Sequence, residues 1–260
     1  MEAAFFDLDK TVIAKASMMA FGRAFHREGL LGRRALVKGL WTQLLFVRFG
    51  AGPKRLARIR RSALATTRGW EQAHVRRIVE EGVGEILPAI TYADAVALID
   101  EHRRAGRRVY IVSAAPAEIV EPLAFHLGVH EAIATRAVVD ERGRYTGETE
   151  QYCYGPAKAT LIRELARRRG IDLSASWGYS DSATDLPMLE VVGHPVVVNP
   201  DRVLRRVAHM RGWEIRRFER VVGVRAESAP QEHRWLAPGL AAAAVGSGGA
   251  IWWAARRTLR

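Results

Sequence analysis

Regular alternation of helix-like and strand-like segments between residues 91 and 200 is the feature that most limits how this 260-residue chain can fold. Helical periodicity in "YADAVALIDEHRRAG", "AEIVEPLAFHLG" and "PAKATLIRELARRRG" ends each time at a glycine, and apolar runs such as "VYIV" and "PVVV" separate the helices. One stretch, "EAIATRAVVDERGRYTGETE", has instead the pattern of a β-hairpin with a turn near residues 141–143. We therefore predict an α/β fold whose core is a doubly wound, mostly parallel sheet with helices on both faces.

A long helical segment interrupts this core near its start. A buried strand is predicted at residues 3–8, and residues 17–87 then show helical periodicity, divided by glycines and a proline. We expect a core formed by residues 1–13 and 89–220, an all-helical cap at 14–88 and a tail at 221–260. The cap is basic, because residues 12–90 hold fifteen Lys or Arg and only five Glu.

The net charge of +12 indicates an anionic partner of some kind. Nucleic acid, anionic lipid headgroups and phosphorylated small molecules all satisfy that requirement. No nucleic-acid recognition motif is visible, so no specific nucleic-acid partner is predicted. The single cysteine, Cys153, cannot form an intramolecular disulfide, which favours a reducing compartment.

Polar side chains are placed where the predicted strands end, and the carboxyl ends of parallel strands meet at one edge of a sheet. The residues concerned are Asp7, Asp9, Thr11, Ser113, Asp181 and Asp185, with the backbone amides of Ala114 and Ala115 and with Lys158 from the first turn of a helix. Taken singly, each has an ordinary explanation: a turn for the Asp-x-Asp pair, a helix N-cap for Ser113 or Asp185, a solvated surface for Lys158. Together they predict four carboxylates, two hydroxyls, one ammonium and a helix N-terminus at one place.

Such a collection of groups suits phosphate chemistry. Four neighbouring carboxylates repel one another unless a cation lies among them, and oxygen ligands favour Mg²⁺. A helix N-terminus and a lysine suit a phosphate group. One carboxylate can attack phosphorus to form an aspartyl-phosphate, and a second can transfer the protons.

In chain order, "FDLDKT", the serine of "VYIVS", "GPAK" and "GYSDSATDLPML" resemble the four motifs of the haloacid dehalogenase-like (HAD) phosphohydrolases. The resemblance is closest to the phosphoserine-phosphatase-like branch (subfamily IB), which has a helical cap between its first and second motifs. It implies a Rossmann-like core and a Mg²⁺-dependent phosphatase that acts through an aspartyl-phosphate. A catalytically idle basic module that binds anionic lipid or nucleic acid is the alternative function.

The resemblance also implies roles for individual residues. Asp7 is the nucleophile, Asp9 is the general acid and base, and Lys158 pairs with Asp7 and with the transferring phosphoryl group. Thr11 steadies the loop.

Phosphate and metal ligands follow from the same motifs. Ser113 and the amide of Ala114 bind phosphate oxygens. Mg²⁺ is held by the carboxylates of Asp7 and Asp181 and by the backbone carbonyl of Asp9. Asp185 supports the metal and Lys158 without touching the substrate.

Three departures from the family pattern limit what the resemblance says about the substrate. Lys10 replaces a small residue, and Ser182 and Thr184 stand where Gly and Asn are usual. No acid lies between Asp9 and Glu28 to receive a substrate ammonium. The substrate is therefore expected to be an anionic phosphorylated metabolite or a phospholipid precursor, with phosphoserine as the family-level alternative.

The end of the chain contains a segment long enough to span a bilayer. Residues 235–255 carry no charge and have arginines on both sides, although eight alanines, four glycines and Pro238 weaken the apolar pattern. A flexible or partly docked tail and a helix lying in the membrane interface are the other options. Because no secretory signal is visible, we expect a cytoplasmic catalytic body that this segment anchors to the inner face of the membrane.

Overall fold

The computed structural model of the protein describes residues 1–32, 64–129 and 131–223. The basic cap sequence "KRLARIRR" and the tail segment 235–255 lie outside the described residues. Within the described ranges, no helix has the length and apolar character needed to cross a membrane.

The described residues form a seven-stranded sheet that confirms the predicted α/β fold. The strands are β1 (Ala3–Phe6), β2 (Arg108–Pro116), β3 (Glu131–Val139), β4 (Tyr145–Gln151), β5 (Trp177–Ser180), β6 (His194–Val198) and β7 (Glu214–Arg216). Their order is β4-β3-β2-β1-β5-β6-β7, and every pair is parallel except the β3–β4 hairpin. The chain moves outward from β1 on one side through β2 and β3 and then returns to build the other side. The loop after β1 therefore lies at a topological switch point, where open α/β sheets bind their ligands.

Helices cover both faces of this sheet. The helices that lie wholly within the described ranges include α1 (Ser17–Ala20), α2 (Gly22–Arg27), α3 (Gln72–Ile86), α4 (Ala93–Arg104), α5 (Ala117–His126), α6 (Pro156–Arg169), α7 (Leu186–Leu189) and α8 (Arg202–Arg211). Single 3₁₀ turns lie at Leu173–Ala175 and Ala183–Asp185.

Neighbouring residues of β1 reach opposite layers of the core, because side chains alternate along a strand. Phe6 lies in the apolar cluster that also contains Val79 of α3 and Val120 of α5. Phe5 lies in the opposite cluster, with Ile162 of α6. Both phenylalanines are fully buried, so β1 is fixed from both faces and holds the loop after it in place.

Helix α6 begins and ends as its sequence predicts. Pro156 occupies its first position, where a missing N–H costs nothing, and Gly170 ends it in the left-handed region at φ +65°. Gly155, just before the helix, also has a positive φ of +55°. This sharp entry fixes the direction of the first turn, which carries Lys158.

Several boundaries differ from the prediction. Strand β1 ends at Phe6 instead of residue 8. The helix after β2 begins at Ala117, as its pattern predicts, so the amides of Ala114 and Ala115 lie in the strand and do not open that helix. The structure adds α8 and the three-residue strand β7, which the sequence analysis did not identify. In the described parts of the helical segment, α1 and α2 are short and only α3 exceeds three turns.

Candidate active site

The loop after β1 holds Asp7 at the centre of the sheet edge. The Asp7 backbone N–H donates to the carbonyl of Tyr179 in β5 at 2.9 Å, and this bond extends the strand pairing by one residue. Lys10 then adopts the left-handed region, at φ +63°, which is uncommon for a residue with a side chain. Its N–H donates to the carbonyl of Ile13 at 2.6 Å, and this closes the turn.

Asp9, two residues beyond Asp7, is hydrogen-bonded to the start of α1. One oxygen of the Asp9 carboxylate, Oδ1, accepts the backbone N–H of Ser17 at 2.9 Å. Burial raises the pKa of Asp9, and the Ser17 hydrogen bond partly opposes that rise. The arrangement gives a carboxyl group of fixed orientation whose proton is held more tightly than in water.

Lys158 bridges two carboxylates in the interior. Its Nζ donates to Asp7 Oδ1 at 2.6 Å and to Asp185 Oδ2 at 2.8 Å, and the side chain is only 2% exposed. Burial by itself lowers the pKa of Lys158, but the charges of Asp7 and Asp185 raise it above its usual value. Lys158 is therefore a buried ammonium between two acids, which excludes the surface explanation that the sequence left open.

Asp185 does not act as a helix cap. It occupies the N-cap position of α7, yet its side chain forms no capping hydrogen bond. The oxygen that receives Lys158, Oδ2, also accepts the hydroxyl of Ser180 at 2.8 Å. Both donors thus point Asp185 toward Lys158 and away from the helix.

Asp181 lies at the end of β5 and is almost buried. Burial raises the pKa of Asp181 to about 7, with Asp185 and Asp201 adding to the rise and Lys10 and Lys158 opposing it. Burial likewise raises the pKa of Asp7, where Lys158 opposes the rise and Asp185 and Asp181 add to it. The two carboxylates are thus desolvated and repel each other.

The donor set fits a divalent cation. Within the described ranges, Asp7 and Asp185 share one salt-bridge partner, Lys158, and the buried carboxylate Asp181 has none, so negative charge is in excess. The same ranges contain no group of three His, Cys, Asp or Glu side chains that could hold a metal. The predicted set needs two side-chain carboxylates only, because its third ligand is the backbone carbonyl of Asp9. Oxygen donors of this kind match Mg²⁺, which usually binds proteins through one or two carboxylates.

Ser113 and Thr11 lie near this edge without joining the Lys158 contacts. Ser113 is buried in β2, and its hydroxyl accepts the N–H of Ala115 at 3.2 Å. Helix α5 starts four residues later with Pro116 at its N-cap, so Ser113 is not a helix cap. Thr11 is fully buried, and its hydroxyl has no hydrogen-bond partner among the described residues.

Cys153 is an unsuitable nucleophile although it is close to Lys158. Burial raises the pKa of the Cys153 thiol to about 12, and Lys158 lowers it only in part. The thiol therefore stays protonated at neutral pH, and a carboxylate remains the nucleophile that the site offers.

Two contributors escaped the sequence analysis. Ser180 binds Asp185, and its position directly before Asp181 in "GYSDS" was the available signal. The contact of Ser17 with Asp9 is made by a backbone N–H, so no pattern of side chains could predict it.

Comparison with known proteins gives a consistent result. The family described as haloacid dehalogenase-like hydrolases matches residues 4–190. A protein of Streptomyces azureus named "inhibition of morphological differentiation protein" is 47% identical over 98% of this chain and 94% of its own. A probable phosphatase of Mycobacterium tuberculosis is 47% identical over 94% of this chain and 86% of its own.

Phosphoserine phosphatases also appear among the similar proteins. One from Mycobacterium tuberculosis is 36% identical over 83% of this chain and 70% of its own. A solved phosphoserine phosphatase, described as a phospho-aspartyl intermediate analogue, has a TM-score of 0.60 at 18% identity. It covers 85% of this chain and 94% of that chain, and it shows a common fold. The family match spans the residues from β1 to α7, and on this basis the chain belongs to the haloacid dehalogenase-like hydrolases and is a phosphatase of that family.

Proposed function

We propose that the protein is a Mg²⁺-dependent phosphomonoester hydrolase that forms an aspartyl-phosphate on Asp7. In the first step, a carboxylate oxygen of Asp7 attacks phosphorus, the bond to the leaving oxygen breaks, and Asp9 gives that oxygen a proton. In the second step, Asp9 takes a proton from water as the water oxygen attacks phosphorus. The Asp7–phosphorus bond then breaks, which releases inorganic phosphate and restores both carboxyl groups.

The contact between Lys158 and Asp7 is the observation that carries this proposal. A 2.6 Å bond to a buried ammonium fixes one oxygen of Asp7 and leaves the other for attack. The ammonium also places a positive charge where negative charge gathers on the transferring phosphoryl group. Charge stabilisation by a group that is already in place costs no reorganisation during the reaction.

The environment of Asp9 supports its role as acid and base. A general acid must hold its proton near the pH at which the enzyme works, and burial raises the pKa of Asp9 in that direction. The Ser17 N–H keeps one oxygen occupied, so the carboxyl group keeps a single orientation in both steps.

Mg²⁺ would be held by the carboxylates of Asp7 and Asp181 and by the backbone carbonyl of Asp9. It would neutralise the acidic cluster and the phosphate, so that both can occupy one small space. In this proposal Ser113 and the amide of Ala114 bind phosphate oxygens, Thr11 steadies the loop and Asp185 orients Lys158.

For the substrate we propose an anionic phosphorylated metabolite or a phospholipid precursor. Residues 10–27, which include α1 and α2, contain no Asp or Glu that would receive a substrate ammonium group. The basic composition of residues 12–90 favours further negative charge on the substrate. Phosphoserine, which the name of one relative gives, is the comparison substrate.

A basic module that binds anionic lipid without catalysis is the second candidate, and the net charge of +12 is the observation that favours it. We also propose a cytoplasmic location, with residues 235–255 as a membrane anchor. An idle module has no need of a lysine buried between two acids, and this favours the enzyme.

Hydrolysis of p-nitrophenyl phosphate, measured with Mg²⁺ and with excess chelator, tests the proposal. We expect turnover that requires Mg²⁺ and that disappears in Asp7→Asn. Asp140→Asn is the matched control, because Asp140 is an exposed acid whose side chain accepts backbone N–H groups within the hairpin turn. Full activity in chelator, or equal loss in both variants, would contradict the proposal.

A further inference from the structure

Ser180 is a fully buried hydroxyl at the end of β5, directly before Asp181. It donates to Asp185 Oδ2 at 2.8 Å and accepts the N–H of Ser182 at 3.3 Å. The buried hydroxyl therefore links the start of the loop from 180 to 185 to Asp185 at its end. That loop carries both Asp181 and Asp185.

The hydrogen bonds continue from Ser180 to the nucleophile. Asp185 Oδ2 receives Ser180 and, also at 2.8 Å, the Nζ of Lys158, which in turn donates to Asp7 Oδ1 at 2.6 Å. Asp185 is 3% exposed and Lys158 is 2% exposed, so water cannot replace a lost partner at either position. The orientation of Lys158 thus depends on Asp185, and that of Asp185 depends on Ser180.

We propose that Ser180 is a positioning residue for phosphoryl transfer, acting through Asp185 and Lys158 on Asp7. This inference rests on the proposed function of the site. Ser180 touches neither the nucleophile nor, in the proposal, the substrate. Its task is to hold one oxygen of Asp185 toward Lys158, so that Lys158 stays beside Asp7 and its charge remains on the transferring phosphoryl group.

The alternative is that Ser180 only satisfies local hydrogen bonds and supports the fold. A second buried serine allows the two roles to be separated. Ser176, just before β5, is equally buried, donates to the carbonyl of Asp172 at 2.6 Å and accepts the N–H of Ala3 at 3.0 Å. Its hydroxyl also donates one hydrogen bond and accepts one, but both partners are backbone groups at the opposite end of the strand, away from the acids.

The experiment compares Ser180→Ala and Ser176→Ala in the full chain, with p-nitrophenyl phosphate and Mg²⁺. A hydrogen bond to a charged group contributes enough for its loss to lower kcat roughly ten- to a hundred-fold. We expect that loss in Ser180→Ala, with little change in KM, because the affected charge acts on the transition state. In Ser176→Ala, kcat should stay within about two-fold of the parent.

A double-mutant cycle with Asp185→Asn identifies the route. If Ser180 acts through Asp185, adding Ser180→Ala to Asp185→Asn should lower kcat far less than it does in the parent protein. Ser180→Thr keeps the hydroxyl and should recover part of the activity that Ser180→Ala loses. Circular dichroism and thermal melting of each variant establish that it is folded.

The outcomes separate this inference from the function on which it rests. No turnover by the parent protein would refute the proposed function itself. If the parent is active, the positioning role would be overturned by an unchanged kcat in Ser180→Ala or by an equal loss of kcat in Ser176→Ala. It would also be overturned if the double variant lost kcat by the full product of the losses in Ser180→Ala and Asp185→Asn. The role would be supported if Ser180→Ala alone lowered kcat and if the same substitution had little further effect in Asp185→Asn.

Discussion

Replacement of Lys158 by methionine is the perturbation for which the structure predicts the largest combined effect. Methionine is close to lysine in length and unbranched, so it fills the buried space while removing the ammonium. Asp7 and Asp185, 7% and 3% exposed, would then lose their only salt-bridge partner in the described residues. Both stability and turnover should fall.

The expected size follows from the cost of breaking a buried ion pair. Removing one partner of such a pair costs about 3–5 kcal/mol, because the remaining charge stays buried without compensation. Against a typical total of roughly 5–15 kcal/mol, this loss should leave the protein folded but with a melting temperature lower by about 6–20 °C. Lys15→Met is the matched control, and since Lys15 is exposed its effect should stay within about 0.5 kcal/mol.

A second substitution separates stability from chemistry. Adding Asp185→Asn to Lys158→Met removes one of the two unpaired carboxylates, so part of the lost stability should return while turnover stays absent. The deficit of Lys158→Met should also shrink as the pH is lowered, because burial raises the pKa of Asp7 and protonation removes its unpaired charge. Calorimetry across pH and the p-nitrophenyl phosphate assay measure the two effects. A melting temperature equal to that of the parent, or a deficit that does not change with pH, would refute the buried bridge.

Three further predictions concern the metal and the tail. Because burial raises the pKa of Asp181 to about 7, that carboxyl group holds its proton to higher pH when folded, and this contribution to stability is lost as the pH rises. In chelator, the parent should therefore lose up to about 4 kcal/mol more stability between pH 4 and 7 than Asp181→Asn does in melting experiments, and identical pH profiles would contradict this. Asp181→Ala should raise the Mg²⁺ concentration for half-maximal activity at least ten-fold, and an unchanged titration argues against a ligand role. A chain ending at Ser228 should keep its turnover but leave the membrane fraction; a full chain that is soluble without detergent contradicts the anchor.

The sequence predicted those parts of the fold that depend on local patterns. Helical periodicity and glycine stops located α4, α5 and α6, and Pro156 and Gly170 marked the ends of α6 almost to the residue. Strand β7 escaped because three residues carry too little pattern, and it is held by pairing with β6, which is a non-local contact. The helix after β2 begins at Ala117, as its pattern predicts, but the amides of Ala114 and Ala115 do not open it, because the strand continues through Pro116.

For the site, the sequence identified the residue types but not their partners. The sequence predicted Asp7, Asp181, Asp185 and Lys158 at one sheet edge. It could not distinguish a solvated Lys158 from a Lys158 that is buried and paired with two carboxylates. That difference depends on the sharp entry into α6 at Gly155, which directs Lys158 inward. Ser180 was missed because a serine before an aspartate has many ordinary uses, and only its contact with Asp185 reveals one.

The most direct test of the central claim is to trap the phosphoryl group on Asp7. The protein is mixed with Mg²⁺ and labelled p-nitrophenyl phosphate, quenched in acid during turnover, digested, and analysed by mass spectrometry. We predict one phosphoryl group on the peptide that contains Asp7, none in Asp7→Asn, and accumulation in Asp9→Asn, because p-nitrophenolate leaves without an acid whereas water still needs a base. Label on another residue, or undiminished turnover by Asp7→Asn, would contradict the account.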